Sequence, residues 1–321
     1  MYDDHWPGTK WATSVLYSEK NPTMDKKLII TVCPNGADFS RIHNPNQPYS
    51  PVEIAQQVID SYREGASIAH LHNRDDKGTP MTTTEALKET VDIILDQCPD
   101  IVIQPSSCQG HDPQEQQYSY LSVKPMVDNL HKLNKQYMES TIFTPVSYAC
   151  ENNDGTVDIT FPTEDNAVKT VSYLQENGIK PEFMAHNFEG ILNVKEWLIK
   201  PGILKKPYYI AMGPGMHNSA ETYPDPWGTL YVLTMMKMMP EDTVIEISAG
   251  GRNWLGVTAF AILMGVDSVR VGMEDHLWMY PHKDEKIKSS ADEVRKVATI
   301  AKELGRDIAT PSETRAILGI R

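Results

Sequence analysis

Short apolar runs alternate with amphipathic stretches along most of the chain. The apolar runs are rich in β-branched residues and lack polar alternation, which is typical of strands that are buried on both faces. We therefore predict eight strands, at 27–34, 67–72, 101–105, 137–143, 181–186, 207–212, 243–248 and 267–272.

The stretches between these strands carry apolar residues at helical spacing, and two helices have strong start signals. Ser50-Pro51-Val52-Glu53 and Thr310-Pro311-Ser312-Glu313 each combine an N-cap hydroxyl, a first-turn proline and a capping-box glutamate. Glycines stand where helices should stop, at Gly65, Gly178, Gly265 and Gly305. The predicted helices include 51–64, 83–97, 165–177, 227–239 and 254–264.

This order of elements predicts an α/β fold, a (β/α)8 TIM barrel that forms a single domain over residues 27–321. Strands that alternate with helices imply a parallel sheet, and eight such units close naturally into a barrel. A doubly wound open sheet is the alternative, but no G-x-G-x-x-G follows the first strand. Residues 1–26 are expected to form an N-terminal extension, and 111–136 an enlarged connection that carries a helix.

Composition and charge exclude several classes of protein. The 321 residues carry a formal net charge of −13, which disfavours nucleic acid and anionic membranes as partners. No apolar run approaches the roughly 20 residues of a membrane span, and the N-terminus lacks a signal-peptide core. The four cysteines show no C-x-x-C spacing, so we expect reduced thiols and a cytoplasmic location.

Ionisable side chains follow the two strands that should flank the first strand of the barrel. Barrel chemistry takes place at the carboxyl ends of strands, and the second strand ends in His70-Leu71-His72. Residues i and i+2 point to one side of a strand, so both imidazoles face the barrel mouth. Glu274 follows the eighth strand and can complete a site for Zn²⁺ or another divalent metal. A hydrogen-bonded histidine pair is the competing interpretation.

Glycine turns and serines at other strand ends are candidate substrate contacts. The turns Gly213-Pro214-Gly215 and Gly250-Gly251-Arg252 expose backbone N–H groups that can bind phosphate or carboxylate. The need for a tight turn is an equally good reason for these glycines. Ser106 and Ser107 end the third strand, and their hydroxyls could hold a substrate carboxylate, although serines at strand ends are more often structural.

Four motifs resemble those of the beta-keto acid cleavage enzymes, a family of metal-dependent barrels. The most specific are GASIAHLHNR at 65–74 and RVGMED at 270–275. Supporting motifs are IVIQPSS at 101–107 and LGRDIATPSE at 304–313. Together they extend the resemblance from about residue 27 to the C-terminus.

The resemblance implies a reaction between a beta-keto acid and acetyl-CoA that gives acetoacetate and a new acyl-CoA. It implies a zinc ion on His70, His72 and Glu274 that acts as a Lewis acid toward the 3-keto oxygen. Arg270 and Asp275 match the family's paired groups for proton transfer, and we assign them jointly because an arginine is not normally a base. The family usually forms symmetric homo-oligomers, so we expect one here.

Departures from the family pattern fall in the substrate pocket. Ser106 matches a substrate-anchoring serine, but the glycines that should follow it are replaced by Cys108 and Gln109. Asp38 stands where a member of the family carries a glutamate, and its shorter carboxylate could pair with a longer or bulkier cationic substrate tail. Thr141 matches a pocket threonine only loosely, because the insertion before it blurs the register.

Two other functions remain open at this point. A metal-dependent aldolase or lyase would stabilise an enolate without CoA, and dependence on acetyl-CoA would separate it from the cleavage enzyme. A barrel that binds a metal or metabolite without turnover would keep its biological role when Asp275 is replaced.

Overall fold

The computed structural model describes residues 18–81, 84–107, 120–151, 155–216 and 227–321. Its centre is a barrel of eight parallel strands, and each of them overlaps one of the eight predicted strands. All strands except β5 and β6 belong to the barrel. The strands are β1 (Ile29–Val32), β2 (Ile68–Leu71), β3 (Val102–Pro105), β4 (Ser140–Phe143), β5 (Tyr148–Glu151), β6 (Val157–Thr160), β7 (Lys180–Ala185), β8 (Tyr208–Met212), β9 (Thr243–Ser248) and β10 (Ser268–Val271).

The order of the strands confirms a barrel rather than an open doubly wound sheet. β1 lies between β2 and β10, so the two strands that precede the predicted metal ligands flank it. The ring closes between β3 and β4, where the N–H of Glu139 donates to the carbonyl of Ile103 over 3.0 Å. In the same gap the hydroxyl of Thr141 donates to the carbonyl of Pro105 over 2.7 Å.

Helices follow the barrel strands and cover the outside of the barrel. Ser50 accepts a hydrogen bond from the N–H of Glu53, whose carboxylate accepts one from the N–H of Ser50, and Thr310 and Glu313 repeat this capping box. Both predicted helix starts are therefore confirmed. The helices are α1 (Pro51–Arg63), α2 (Thr84–Gln97), α3 (Tyr120–Met126), α4 (Glu164–Glu176), α5 (Phe188–Asn193), α6 (Trp227–Met238), α7 (Trp254–Leu263), α8 (Ser290–Glu303) and α9 (Pro311–Leu318).

The inside of the barrel is layered, and the layering places the polar groups toward its carboxyl end. An apolar floor near the amino ends of the strands packs against α9 and the residues after it. The floor consists of Ile29, Ile68, Val102, Tyr209, Val244, Leu318 and Ile320, with Ala309 beside them. The next inward positions on several strands are polar, among them Thr31, His70, Gln104, Glu246 and Arg270. The chemistry-bearing side chains therefore lie above a closed floor.

Two insertions depart from a minimal barrel. The connection between β3 and β4 carries α3, which continues as a π-helical turn at Val127–His131, so a helix in the predicted enlarged connection is confirmed. The hairpin of β5 and β6 between β4 and β7 was not predicted, although Asn152-Asn153-Asp154-Gly155 is a turn signal. No helix among the described residues is both long and apolar enough to cross a membrane.

Candidate active site

Three side chains from two strand ends converge at the barrel mouth with the spacing of metal ligands. The Nε2 atoms of His70 and His72 lie 3.2 Å apart. One carboxylate oxygen of Glu274 lies 3.5 Å from Nε2 of His70, and the other lies 3.3 Å from Nε2 of His72. All three side chains are buried or nearly so, and the three donor atoms lie within 4.8 Å of one another. The structure thus brings together the three predicted ligands.

Hydrogen bonds around His70 determine which of its nitrogens faces the cluster as a lone pair. Gln104 donates through Nε2 to Glu182 over 2.6 Å and to Ser140 over 3.0 Å, so its Oε1 is an acceptor. Nδ1 of His70 lies 2.9 Å from that Oε1 and therefore carries the proton. Burial lowers the pKa of His70 to about 3, which keeps the imidazole neutral with an unprotonated Nε2.

A divalent cation fits this set of donors. Oε2 of Glu274 is buried and accepts no hydrogen bond from the described residues. Burial alone would raise the pKa of Glu274. The positive charge of Arg270, together with the neighbouring imidazoles of His72 and His70, holds that pKa well below its usual value. A neutral imidazole and an ionised carboxylate in one buried cluster leave a lone pair and a charge that a metal ion would satisfy.

Arg270 and Asp275 form a two-point ion pair beside the three ligands. Nε of Arg270 donates to Oδ2 of Asp275 over 2.9 Å, and Nη2 donates to Oδ1 over 2.7 Å. Nη2 also lies 2.8 Å from Oε1 of Glu274. Burial lowers the pKa of Arg270, but Asp275 and Glu274 outweigh this effect and raise it well above its usual value. Arg270 is therefore a permanent cation.

Two residues that the sequence analysis missed bind the same oxygen of Asp275. Ser248, the last residue of β9, donates its hydroxyl to Oδ2 over 2.7 Å. The thiol of Cys33 lies 3.3 Å from Oδ2, and burial raises its pKa, so it stays protonated and acts as a donor. With the bond from Arg270, Oδ2 has three donors, and Oδ1 is the oxygen with spare acceptor capacity. Ser248 stands at a strand end, which was the available signal.

A second pair of carboxylates lies deeper in the barrel. Glu246 accepts through Oε2 from the hydroxyls of Thr31 over 2.8 Å and Tyr209 over 2.6 Å. Oε1 of Glu246 and Oε1 of Glu182 are buried without a donor among the described residues. Burial, followed by the charge of Glu246, raises the pKa of Glu182 well above its usual value. Glu182 is therefore favoured in its protonated form.

Asp38 lies in the β1–α1 loop, close to the cluster of His70, His72 and Glu274. The guanidinium of Arg74 donates to the carbonyl of Gly36 over 2.8 Å and thereby holds this loop. Burial lowers the pKa of Arg74, and the charges of Asp38 and Glu274 partly offset that effect. Arg74 therefore lies near both carboxylates. Asp38 is exposed, as a residue that contacts a substrate tail at the mouth would be.

Of the three hydroxyl side chains predicted for the pocket, Ser107 and Thr141 donate to backbone carbonyls, and Ser106 lies on the same side of its strand as Gln104. Ser106 is buried directly after β3. The hydroxyl of Ser107 donates to the carbonyl of Ile142, and that of Thr141 donates to Pro105. Thr141 alternates with Ile142, which packs inside the barrel against Met184 and Ala211, so Thr141 points outward.

Thr144 is a pocket candidate that the sequence analysis missed. It follows β4 on the same side as Ile142, it is 3% exposed, and its hydroxyl has no partner among the described residues. Its position just after a strand was the available signal. Cys108 and Gln109 lie outside the described residues.

The backbone N–H groups of the glycine turn after β9 donate hydrogen bonds to carbonyls of the protein itself. The N–H of Gly250 donates to the carbonyl of Pro214 over 2.8 Å, and the N–H of Gly251 donates to the carbonyl of Asp275 over 3.3 Å. A Cβ atom at position 250 would lie 2.7 Å from the carbonyl oxygen of Gly215. These contacts favour the tight-turn interpretation over a direct role of the two amides in anion binding.

Comparisons with known proteins agree with this geometry. The family model described as beta-keto acid cleavage enzyme matches residues 27–320. A 3-keto-5-aminohexanoate cleavage enzyme of Acetoanaerobium sticklandii is 33% identical over 295 residues, which cover 92% of this chain and 99% of that protein. A 3,5-dioxohexanoate:acetyl-CoA acetone transferase of Paraburkholderia graminis is 26% identical over 316 residues, with 92% and 96% covered.

A solved structure shares the fold. The apo structure of ObcA superimposes with a TM-score of 0.67 at 19% identity, over 86% of this chain and 66% of that longer chain. At this identity the likeness concerns the TIM-barrel fold alone. The family match over 27–320 and the 33% identity along nearly the whole chain carry the assignment. The chain therefore belongs to the beta-keto acid cleavage enzyme family.

Proposed function

We propose that this protein is a zinc-dependent enzyme that converts a beta-keto acid and acetyl-CoA into acetoacetate and a new acyl-CoA. One observation carries the proposal: a three-ligand cluster and an Arg–Asp pair meet at the mouth of a barrel of this family. The acetyl-CoA part is supported by the relative named as an acetyl-CoA acetone transferase. Two imidazoles and one carboxylate with an open position are typical of catalytic zinc sites.

His70, His72 and Glu274 would hold the ion. When bound, zinc supplies Lewis-acid stabilisation of the negative charge that develops on the 3-keto oxygen. Gln104 keeps Nδ1 of His70 protonated, so that Nε2 offers its lone pair to the cluster. The other steps of the reaction depend on the protein's own residues.

We assign proton transfer to Asp275 and charge stabilisation to Arg270. The reaction needs removal of the proton between the two carbonyl groups of the keto acid, and Arg270 stays charged and cannot accept it. Oδ1 of Asp275 is the oxygen with spare acceptor capacity, so it would take that proton. Ser248 and Cys33 would hold Oδ2 and thereby orient Oδ1 toward the substrate.

We assign recognition of the substrate tail to Asp38 and of its polar groups to Ser106. The keto acid named for the most similar of the reported relatives carries an amino group, and an exposed carboxylate at the mouth can pair with such a cation. The shorter side chain of Asp38 suggests a longer or bulkier cationic tail. The positive charge of Arg74 near Asp38 would repel a substrate tail with several positive charges and so favour a tail with one.

The test is acetoacetate formation by the purified protein with acetyl-CoA and beta-keto acids that have cationic, neutral or anionic tails. We expect turnover that a chelator abolishes and that added zinc restores, with preference for a cationic tail. Asp38→Asn should lose that preference, and Asp38→Glu, the matched control, should shift it to a shorter cation. Absence of turnover with all tails, in protein that holds stoichiometric zinc, would contradict the proposal. Keto acid cleavage without CoA would point to a lyase.

A further inference from the structure

Residues 276–288, which we call the basic arm, follow the Arg–Asp pair directly and form a folded hairpin at the barrel mouth. The N–H of Met279 donates to the carbonyl of Glu285 over 2.9 Å, and the N–H of Ile287 donates to the carbonyl of Leu277 over 3.0 Å. Trp278 and Lys286 form an antiparallel bridge between these bonds. The arm therefore has a defined backbone pairing and is not an irregular loop.

The base of the basic arm is anchored in the protein core. The indole N–H of Trp254 donates to the carbonyl of Trp278 over 2.8 Å. The Trp254 ring is stacked on His276 at 4.3 Å, and His276 contacts the fully buried Glu293 of α8. Side chains on the arm therefore have a fixed position relative to Asp275.

Four cations gather on two aromatic rings at the basic arm. Arg252 and Lys286 lie 4.2 and 4.0 Å from the ring centroid of Trp278. Lys283 and Lys296 lie 4.9 and 4.4 Å from the ring centroid of Tyr280. Such cation–π contacts hold cations in place without neutralising them.

Two carboxylates, Asp284 and Glu285, lie in the arm and offset part of this positive charge. Asp284 pairs with Arg252 over 2.5 Å but is itself 90% exposed. Lys283 and Lys286 have no ion pair with any residue that the structure describes. On a chain whose net charge is −13, this is a local concentration of available cations. A cluster of this kind favours a ligand with several negative charges, such as a polyphosphate.

The distance from the basic arm to the catalytic groups suits a ligand with a long neutral spacer. Trp278 is three residues from Asp275, which limits the separation of their Cα atoms to about 11 Å. The turn that ends in Arg252 contacts the site as well, because the N–H of Gly251 donates to the carbonyl of Asp275. In CoA the uncharged pantetheine arm separates the reactive thioester from three phosphate groups. The extended pantetheine arm is longer than this limit, so it can reach past Trp278 to the cations around it.

We propose that the basic arm, together with Arg252 and Lys296, binds the phosphates of the 3′-phospho-ADP end of CoA. This inference rests on the proposed use of acetyl-CoA. Each aromatic ring already carries two cations, so the phosphates rather than the adenine ring are the groups recognised. Any nucleotide offers related phosphate chemistry, and the test therefore includes one that lacks the pantetheine arm.

The test measures binding of free CoA, dephospho-CoA, pantetheine and ADP to the zinc-loaded protein by calorimetry. Lys283→Gln combined with Lys286→Gln should weaken CoA binding about tenfold, since each lysine gives up a charge-assisted contact with phosphate. The loss should be smaller for dephospho-CoA and absent for pantetheine. Lys205→Gln combined with Lys206→Gln is the matched control, because these lysines precede β8 at the opposite end of the barrel. It should change CoA affinity less than about twofold.

Three results would overturn the inference. Equal CoA affinities of the two double variants would show that the basic arm does not contact the phosphates. Equal affinities of the wild-type protein for CoA and pantetheine would show that phosphates are not recognised at all. ADP binding as tight as CoA binding would show that the pantetheine arm adds nothing to affinity. The basic arm would then bind a nucleotide that does not reach the barrel mouth. Failure of the proposed function shows up separately, as absent turnover in protein that still binds CoA through the arm.

Discussion

Two pairs of largely buried acidic side chains occupy neighbouring levels of the same barrel, and one glutamate in each pair has a shifted pKa, in opposite directions. At the mouth, Glu274 has a lowered pKa beside Arg270, which also pairs with Asp275. Deeper in the barrel, Glu182 has a raised pKa because it is fully buried beside Glu246. The residue types are almost the same, and their burial is similar. The difference lies in the cation that contacts one pair and not the other.

The contrast shows how one fold can hold an ionised glutamate at the barrel mouth and a protonated one beneath it. Burial disfavours the ionised form of Glu274, but the positive charge of Arg270 outweighs burial and lowers its pKa. Below it, hydroxyl groups donate to Glu246, while burial and the charge of Glu246 raise the pKa of Glu182 and favour its protonated form. Glu182 accepts a hydrogen bond from Gln104, which in turn orients His70. The deeper level therefore helps to position the upper one through Gln104.

The largest expected effect concerns the mouth pair. Asp275→Asn keeps the shape of the side chain but removes the proton acceptor, so turnover should fall by about 10³-fold. Steady-state rates at saturating acetyl-CoA measure the loss, and zinc content checks that the cluster is intact. Activity within about tenfold of wild type would remove Asp275 from the role of base.

The same substitution in both pairs tests the comparison directly. Glu274→Gln replaces an ionised ligand and should weaken zinc binding by more than about 100-fold. This loss exceeds the one typical of a residue that only hydrogen-bonds to a metal ligand. Glu182→Gln should keep zinc affinity within about threefold, because an amide donates and accepts hydrogen bonds as a protonated carboxyl does. Competition with a chromogenic chelator measures both values. Comparable losses in the two variants would mean that Glu182 is ionised and that the two levels do not differ in charge.

The pH dependence of stability sharpens the assignment of the proton. Glu182 is protonated in the folded protein and ionised once unfolded above its ordinary pKa of 4.5, so unfolding releases a proton. Stability from this group is therefore complete at low pH and is lost as the pH rises toward the folded pKa. The wild-type protein should lose about 1.4 kcal/mol per pH unit relative to Glu182→Gln in that window. Urea unfolding of both proteins at several pH values measures this, and parallel curves would contradict it.

The smallest effect concerns the orientation of Asp275. Ser248→Ala removes one of three donors to Oδ2 and should lower turnover about five- to tenfold, with zinc affinity unchanged. Ser248→Thr, which keeps the hydroxyl, is the control and should retain most of the activity. If the alanine variant loses zinc as well, the serine supports the whole cluster rather than the orientation of one carboxylate.

The fold and the grouping of His70, His72 and Glu274 could be predicted because both follow from local patterns. Eight apolar runs gave the strands, and the rule that barrel chemistry takes place at strand ends led to His70, His72 and Glu274. The prediction that β2 and β10 lie on either side of β1 required only that the eight strands close into a barrel.

The remaining parts of the site depend on contacts between residues distant in sequence or on a one-residue register. Cys33 and Ser248 meet Asp275 only because β1 and β9 flank β10. The choice between Thr141 and Thr144 depends on which face of β4 turns inward, and a shift of one residue reverses that face. The raised pKa of Glu182 depends on burial and on Glu246, and the two side chains come from β7 and β9, which are not adjacent. The β5–β6 hairpin had a local signal in its turn.

Gly36 has a consequence for how the substrate range of this enzyme can be altered. A side chain at this position would collide with the Cγ atom of Glu274. The carbonyl of Gly36 accepts a hydrogen bond from Arg74. The loop that presents Asp38 is thus clamped two residues before the specificity position. If Asp38 contacts the substrate tail as proposed, variation at position 38 and beyond would change the tail pocket while Glu274 keeps its position. A library for new keto acids would therefore randomise the loop from residue 38 onward and leave Gly36 untouched.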